Sequence, residues 1–253
     1  MKKKLIFCDC LVVGAGVSGV AAAVTASRKG FKTILLEKNS FPGGTAVIAM
    51  HRYLCGAYPG NSGILKEVIK GIACGKKLLR MGKVSVLPFK TENLINCLKK
   101  LIRNENNLKI IYKAKANSVK IKNNSILSVV AKLTNGEVQV IPKVVIEATG
   151  TGEIIKLCKA KYKLEAAQKR QLAGFSIKIK GIGLSASLLN IKVPYFVKFS
   201  NFYPGDNKEE GFIKFSVIPA KVKSIKNYAG IQFAYLKKMI PGLNKAYIEK
   251  ISP

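Results

Sequence analysis

The run Val12-Val13-Gly14-Ala15-Gly16-Val17-Ser18-Gly19 limits this chain to few folds. The apolar stretch Leu11-Val12-Val13 precedes the glycines, and the small-residue stretch Val20 to Ser27 follows them. A second apolar run, Thr33-Ile34-Leu35-Leu36, ends in Glu37. Strand, glycine turn, helix, strand and acid in that order form the βαβ fingerprint of a dinucleotide-binding fold. Gly14 suits a tight exit from the strand, Gly16 a close approach to a pyrophosphate, and Gly19 close helix–strand packing. Amides of the first helical turn, among them those of Val17 and Ser18, then point at the phosphates. Glu37 follows Gly14 at nearly the ~20-residue interval expected of the acid that holds a ribose hydroxyl. An acid there favours a free 2′-hydroxyl, as in FAD or NAD. The competing reading is a membrane segment, because Cys10 to Ser27 carries no charge. The glycine spacing and the flank Arg28-Lys29 fit βα better.

Charge is the unusual part of the composition. Lys and Arg number 44 against 13 Asp and Glu, a formal net charge of +31. Such an excess suits a polyanionic partner. The arginines are few, however, and the lysines are spread along the whole chain. Solvated lysine on every exposed face accounts for that pattern, leaving nonspecific polyanion binding at low salt as the expected consequence. The cysteines (Cys8, Cys10, Cys55, Cys74, Cys97, Cys158) show no CxxC pair, and there is one histidine. No metal site is expected, and free thiols suit a reducing cytoplasm. Met1-Lys2-Lys3-Lys4 before an apolar run mimics a signal peptide, but Asp9 interrupts that run early. The expectation is a cytoplasmic protein with no membrane partner.

After Glu37-Lys38 comes a turn-rich stretch ending in Phe41-Pro42-Gly43-Gly44-Thr45-Ala46. Glu37-Lys38 with Gly43-Gly44-Thr45, placed after a complete fingerprint, resembles the FAD-dependent oxidoreductases of the glutathione-reductase-like flavoprotein fold. The resemblance is to the single-FAD-domain group with a GGTA motif. It implies that Gly43, Gly44 and Thr45 run beside the pyrophosphate and flavin. A second segment carries the same resemblance. The strand Lys143 to Glu147 runs into Ala148-Thr149-Gly150, where the family keeps its second FAD signature. Thr151 and Glu153 stand where the family usually has Asp. The resemblance also implies an adenine contact at Ala116, and FAD as the cofactor. His51, Arg52 and Cys55 lie within one short stretch and are weak candidates for proton donor, anion clamp and thiol nucleophile. A packed turn with incidental polar groups is the plainer reading, and a dithiol mechanism is disfavoured.

Elsewhere the pattern predicts helices over Ser62–Leu79 and Thr91–Arg103, the latter capped by Thr91. Residues 108–148 read as strands with hairpin turns at Asn123-Asn124 and Asn135-Gly136. Strands are expected at Phe175–Lys180, Tyr195–Phe199 and Phe212–Val217, and helices at Leu236–Met239 and Ala246–Ile251. The fold expected is α/β. A Rossmann-like FAD-binding domain over 1–165, a parallel sheet with a β-meander crossover, precedes an incomplete α+β substrate domain over 166–253. The family's C-terminal strand ending in Gly-Asp is not found, so an N-terminal fragment, a split subunit completed by a partner chain, or a decayed copy is expected. The function so implied is flavin-mediated hydride transfer to or from a small-molecule substrate. The alternatives are a non-catalytic nucleotide- or RNA-binding protein that retains the fold, and an NAD-binding enzyme.

Overall fold

The computed structural model describes residues 4–166, 173–183, 190–191, 197–217 and 224–252. Its strands are β1 (Lys4–Val13), β2 (Thr33–Leu36), β3 (Tyr53–Cys55), β4 (Leu79–Met81), β5 (Val84–Pro88), β6 (Leu108–Ile111) and β7 (Lys115–Lys122). They continue with β8 (Ser125–Leu133), β9 (Gly136–Glu147), β10 (Ala173–Lys180), β11 (Asn190–Ile191), β12 (Val197–Pro204), β13 (Glu210–Val217) and β14 (Tyr247–Ile251). The helices are α1 (Val17–Arg28), α2 (Thr45–Ile48), α3 (Gly63–Ala73), α4 (Thr91–Arg103), α5 (Glu153–Leu157) and α6 (Ile225–Met239). Two compact units result. One comprises Met1–Val47 with His51–Lys163, the other Ile48–Met50 with Leu164–Pro253.

The first unit is built on a six-stranded sheet in the order β6-β2-β1-β9-β8-β7. Within its parallel half, β6-β2-β1-β9, the C-terminal end of β1 and all of β2 are buried on both faces, which is why they are continuous apolar runs. Cys10, Val12 and Leu35 face α1, α3 and α4 through Val20, Val24, Val68, Ile72, Leu98 and Leu101. Leu11, Val13, Ile34 and Leu36 form the opposite core with Ala114, Val129, Val140 and Ile154. A three-part ion pair fastens the helical layer. Arg28 of α1 meets Glu67 of α3 at 2.6 Å and Glu105, just past α4, at 2.8 Å.

The structure fuses two predicted strands into one. β9 runs through Pro142 without a break, pairing antiparallel with β8 at its start and parallel with β1 along most of its length. The meander is thus an extension of the parallel sheet. Asn123 and Asn124 both take positive φ, as the hairpin turn between β7 and β8 requires. Helix α3 stops at Ala73 instead of reaching Leu79, because Cys74 and Gly75 adopt left-handed conformations that end it. The freed chain forms β4 and β5, which join β3 in a small sheet ordered β3-β5-β4. Helix α4 spans its predicted residues, but its N-cap is Lys90, and Thr91 is the first helical residue.

The second unit is a five-stranded sheet ordered β11-β12-β13-β10-β14. Phe175, Ile177, Ile213 and Phe215 line the face that packs on Ala229, Phe233 and Leu236 of α6. The Phe175 and Phe215 rings stack with centroids 5.0 Å apart. Tyr195, the predicted start of a strand, lies outside the described residues. Helix α6 begins at Ile225, well before the predicted Leu236, with Ser224 Oγ accepting the Asn227 N–H. The stretch Ala246–Ile251 is not a helix. Its residues from Tyr247 on form β14, because the open edge of β10 offers a full ladder there.

Candidate functional site

Strands β1 and β9 end side by side, with Val13 in register with Glu147. The two turns that follow therefore emerge together, and the Ala148 N–H donates to the Val13 carbonyl at 2.9 Å. Gly14 has φ +102°, and a Cβ placed on it would lie 2.4 Å from the Ala148 carbonyl oxygen and 2.8 Å from Thr149 Cα. A Cβ on Gly19 would lie 1.8 Å from the Gly14 oxygen. Helix α1 sits directly on its own turn, and only glycine permits it. Gly16 differs: a Cβ there would meet nothing within 4 Å.

A third segment closes on the same point. Gly43 donates its N–H to the Ala15 carbonyl at 2.8 Å and forms a parallel bridge with Gly16. A Cβ on Gly44 would lie 3.0 Å from Gly16 Cα. Gly43 itself has φ +114°, and its Cβ would meet Val47 Cγ2 at 2.4 Å. Thr45 is exposed and opens the short α2. Residues 14–19, 43–45 and 148–149, separated in sequence, are thus neighbours in space.

Glu37 is buried at the end of β2. Its carboxylate accepts the Ala15 N–H at 2.7 Å, the Asn39 N–H at 2.8 Å and the Asn39 Nδ2–H at 2.7 Å. The Tyr112 hydroxyl, just past β6, is pushed above its ordinary pKa by burial and then by the Glu37 charge. The chain after β6 also ties back here, with the Lys113 N–H on the Asn39 carbonyl and the Ala114 N–H on the Glu37 carbonyl. Lys38 points to solvent. Ala116 lies further along, on β7 in register with Ala131, and its side chain belongs to the core.

The N-terminus of α1 is open to an anion. Gly16 is its N-cap, no side chain accepts from its first turn, and no acid lies in that turn. The amides of Val17, Ser18 and Gly19 are therefore donors without an intrahelical acceptor. Together with the unencumbered Cβ direction of Gly16, they suit a diphosphate. Three donors leave room at Glu37 for one more, since a carboxylate offers about four acceptor sites. That suits a ribose hydroxyl.

The turn after β9 is built differently. Glu147 Oε1 accepts the Thr149 N–H and Oε2 accepts the Ile154 N–H, each at 2.6 Å. The Thr149 hydroxyl accepts from the Thr151 and Glu153 amides, each at 3.2 Å. Gly150 takes φ +73° with open space around it. Glu147 was not among the predicted site residues. Its signal was present, because like Glu37 it is an acid at the C-terminal end of a parallel strand, Glu147 as the last residue of β9 and Glu37 as the first after β2.

His51 is half-buried and Arg52 buried, each engaged by neighbouring groups, while Cys55 is exposed. Phe89 donates its N–H to the Arg52 carbonyl, extending the β3–β5 ladder by one residue. Strand alternation then puts the Arg52 and Cys55 side chains on opposite faces. The buried thiols are chemically quiet: burial, and then the neighbouring Cys10, pushes Cys8 up to about 11. Among the described residues, no three His, Cys, Asp or Glu side chains gather as a metal site, and no helix is long and apolar enough to cross a membrane.

Parallel strand, glycine turn, uncapped helix and strand-end acid define a dinucleotide-binding fold of the Rossmann type. The model of the FAD dependent oxidoreductase family matches residues 9–228. The chain belongs to that family, and its cofactor is FAD. A stretch of 44 residues is 50% identical to the sarcosine oxidase subunit alpha of Rhizobium meliloti, covering 17% of this chain and 4% of that protein. Among solved structures, a geranylgeranyl bacteriochlorophyll reductase-like protein of Thermoplasma acidophilum aligns over 98% of this chain and 65% of its own, with TM-score 0.71 at 17% identity. The p-nitrophenol 4-monooxygenase of Pseudomonas putida aligns over 98% of this chain and 66% of its own, with TM-score 0.65 at 12% identity. Both likenesses concern the fold. The chain spans less than a tenth of the curated relatives it matches and about two thirds of these two structures.

Proposed function

We propose that this chain carries the FAD site of an oxidoreductase acting on a small-molecule substrate, with the first compact unit as the FAD-binding domain and the second as the substrate domain. The observation that carries this reading is the meeting of Gly14–Gly19, Gly43–Gly44 and Ala148–Thr149 at the uncapped end of α1. In it the amides of Val17, Ser18 and Gly19 hold the pyrophosphate, and the Glu37 carboxylate accepts from a ribose hydroxyl. Gly43, Gly44 and Thr45 border the cofactor with backbone, as do Ala148, Thr149 and Gly150. When bound, the flavin supplies hydride or electron transfer, and the protein supplies position and electrostatics. His51 and Arg52 are put forward as proton donor and anion-holding group. Cys55, on the face opposite Arg52, is put forward only as a dispensable thiol.

Denaturing the purified protein and identifying the released nucleotide by chromatography and absorbance tests the reading. One FAD per chain is expected, retained or taken up on reconstitution. Bound NAD without flavin would select the NAD-enzyme alternative. A chain that stays colourless in excess FAD and binds RNA with steep salt dependence would overturn the flavoenzyme reading altogether.

A further inference from the structure

The hairpin formed by β4 and β5 presents an exposed apolar tip on the first unit. Every residue from Cys74 to Val84 whose side chain is described lies exposed. Among the described residues strand β4 is an edge, paired only with β5. Leu79 pairs with Val86 and Met81 with Val84, so Leu79 and Val84 share one face of the hairpin. Leu79 is 47% exposed and Val84 39%, with Leu78 beside them at 39%. The loop after β3 leaves the sheet at the same end, since Gly56 donates its N–H to the Ser85 carbonyl, and it carries Tyr58 at 49% exposure.

Cations surround this apolar tip. Lys76, Lys77, Arg80 and Lys83 lie within it, and no acid occurs between Glu67 and Glu92. Glu67 is itself held by Arg28. No ion pair reaches these four side chains among the described residues. Arg80 donates only to the Gly82 carbonyl, which keeps its guanidinium folded over the turn. Ion pairs do form at other places among the described residues, as between Lys178, Lys180, Glu210 and Glu249.

We propose that the β4–β5 hairpin docks this protein on an anionic lipid surface. Leu78, Leu79 and Val84 enter the headgroup boundary, Tyr58 sits at the interface, and Lys76, Lys77, Arg80 and Lys83 face the lipid phosphates. Aliphatic side chains set among cations are the composition of an interfacial anchor. A nucleic-acid surface asks instead for several aromatic or guanidinium planes on which bases stack, and the tip offers one ring, Tyr58, and one guanidinium, Arg80, folded over the turn at Gly82, beside three aliphatic side chains. The contact crosses no membrane, so it needs no spanning helix. It changes the sequence-based expectation that no membrane takes part, and it does not depend on the FAD site.

Vesicle flotation tests the proposal on the full chain. Binding to vesicles rich in phosphatidylglycerol is expected, with little to phosphatidylcholine alone. The double variant Leu79→Ser, Val84→Ser keeps every charge, and it should weaken binding roughly tenfold or more, because two apolar side chains leave the interface. Lys76→Gln with Lys77→Gln should weaken it further at low salt. Both pairs are exposed, so the thermal transition should stay in place. The chain contains no tryptophan, so Leu79→Trp gives a local reporter whose emission should shift to the blue on anionic vesicles. Absence of binding to anionic vesicles would overturn the proposal. So would binding that the apolar double variant leaves unchanged, which marks general adsorption of a polycation. Hairpin-dependent binding of an RNA oligonucleotide without vesicle binding, or a dimer that the double variant dissolves, would also overturn it.

Discussion

The glycine turn after β1 and the bend after β9 lie on adjacent strands, and each leads into a helix, yet they treat their amides in opposite ways. At the first, the helix begins at Gly16 with no side-chain acceptor in its opening turn. At the second, Glu147 and Thr149 accept the amides of Thr149, Thr151, Glu153 and Ile154. A strand–turn–helix unit binds an anion only when its helix amides are left unclaimed. In the proposed function the first turn is therefore the place for a diphosphate, and the second is a self-braced wall beside it. The first is held by packing of backbone on backbone and, at Ala15, by the Glu37 carboxylate of the neighbouring strand end, the second by its own side chains.

Substitution of the packing glycines gives the largest expected effect. Gly19→Ala sets a methyl 1.8 Å from the Gly14 oxygen. The clash is with backbone, and the other neighbour is the Ala148 Cβ at 3.1 Å, so no flexible side chain can move aside and the cost should reach or exceed ~3 kcal/mol. Thermal melting of the apo protein should show the first unit's transition lost or moved far down. Gly16→Ala, with open space around its Cβ, should keep the melt and lose retained FAD. If the two variants behave alike, packing and ligand contact are not separated in the way the geometry requires.

Next in size is Glu147→Gln. The amide keeps one acceptor and turns a donor toward the second backbone N–H. A lost hydrogen bond to a charged group costs about 1.5–3 kcal/mol, and partial exposure of Glu147 places the effect toward the lower value. The melt should fall while FAD per folded chain stays constant. Glu37→Gln should lower the melt comparably and also weaken FAD retention. Isothermal titration of both apo variants with FAD checks the contrast, and equal affinities would erase it. Thr149→Val removes the acceptor of two further amides. It should cost ~1 kcal/mol, as a lost cap does, with FAD affinity unchanged.

The first turn was legible in the sequence because everything it needs is local: an apolar strand, glycines at fixed spacing and a strand-end acid. Glu147 is equally local, but it belongs to no named motif that would single it out. The approach of Gly43–Gly44 to Gly16 was legible only through resemblance, since no residue pattern encodes a contact across that interval. Strands β4 and β14 were missed for a different reason. In Leu79-Arg80-Met81 the strand alternation is a single repeat, too short to stand out beside the helical spacing that precedes it. Ile248 and Ile251 sit three apart, which fits a helix as well as a bulged strand. Only pairing with β5 and β10 decides these segments, and pairing is tertiary.

The smallest expected effect is the sharpest test of the comparison, because its two readouts move in opposite directions. Ser18 is exposed in the first turn of α1, where no acid now stands. Ser18→Asp brings a carboxylate to the positive end of a helix dipole and to amides that lack a side-chain acceptor. That should stabilise the apo protein by about 0.3–1 kcal/mol. The same carboxylate competes with and repels a diphosphate, so FAD affinity should fall. An acid placed in the first turn of α5, where Glu153 already stands and Glu147 already holds the Ile154 amide, should do neither. Thermal melts without FAD, set beside titrations with it, read both signs from one variant. A stabilised apo protein with undiminished FAD binding would mean that the diphosphate lies somewhere other than the N-terminus of α1.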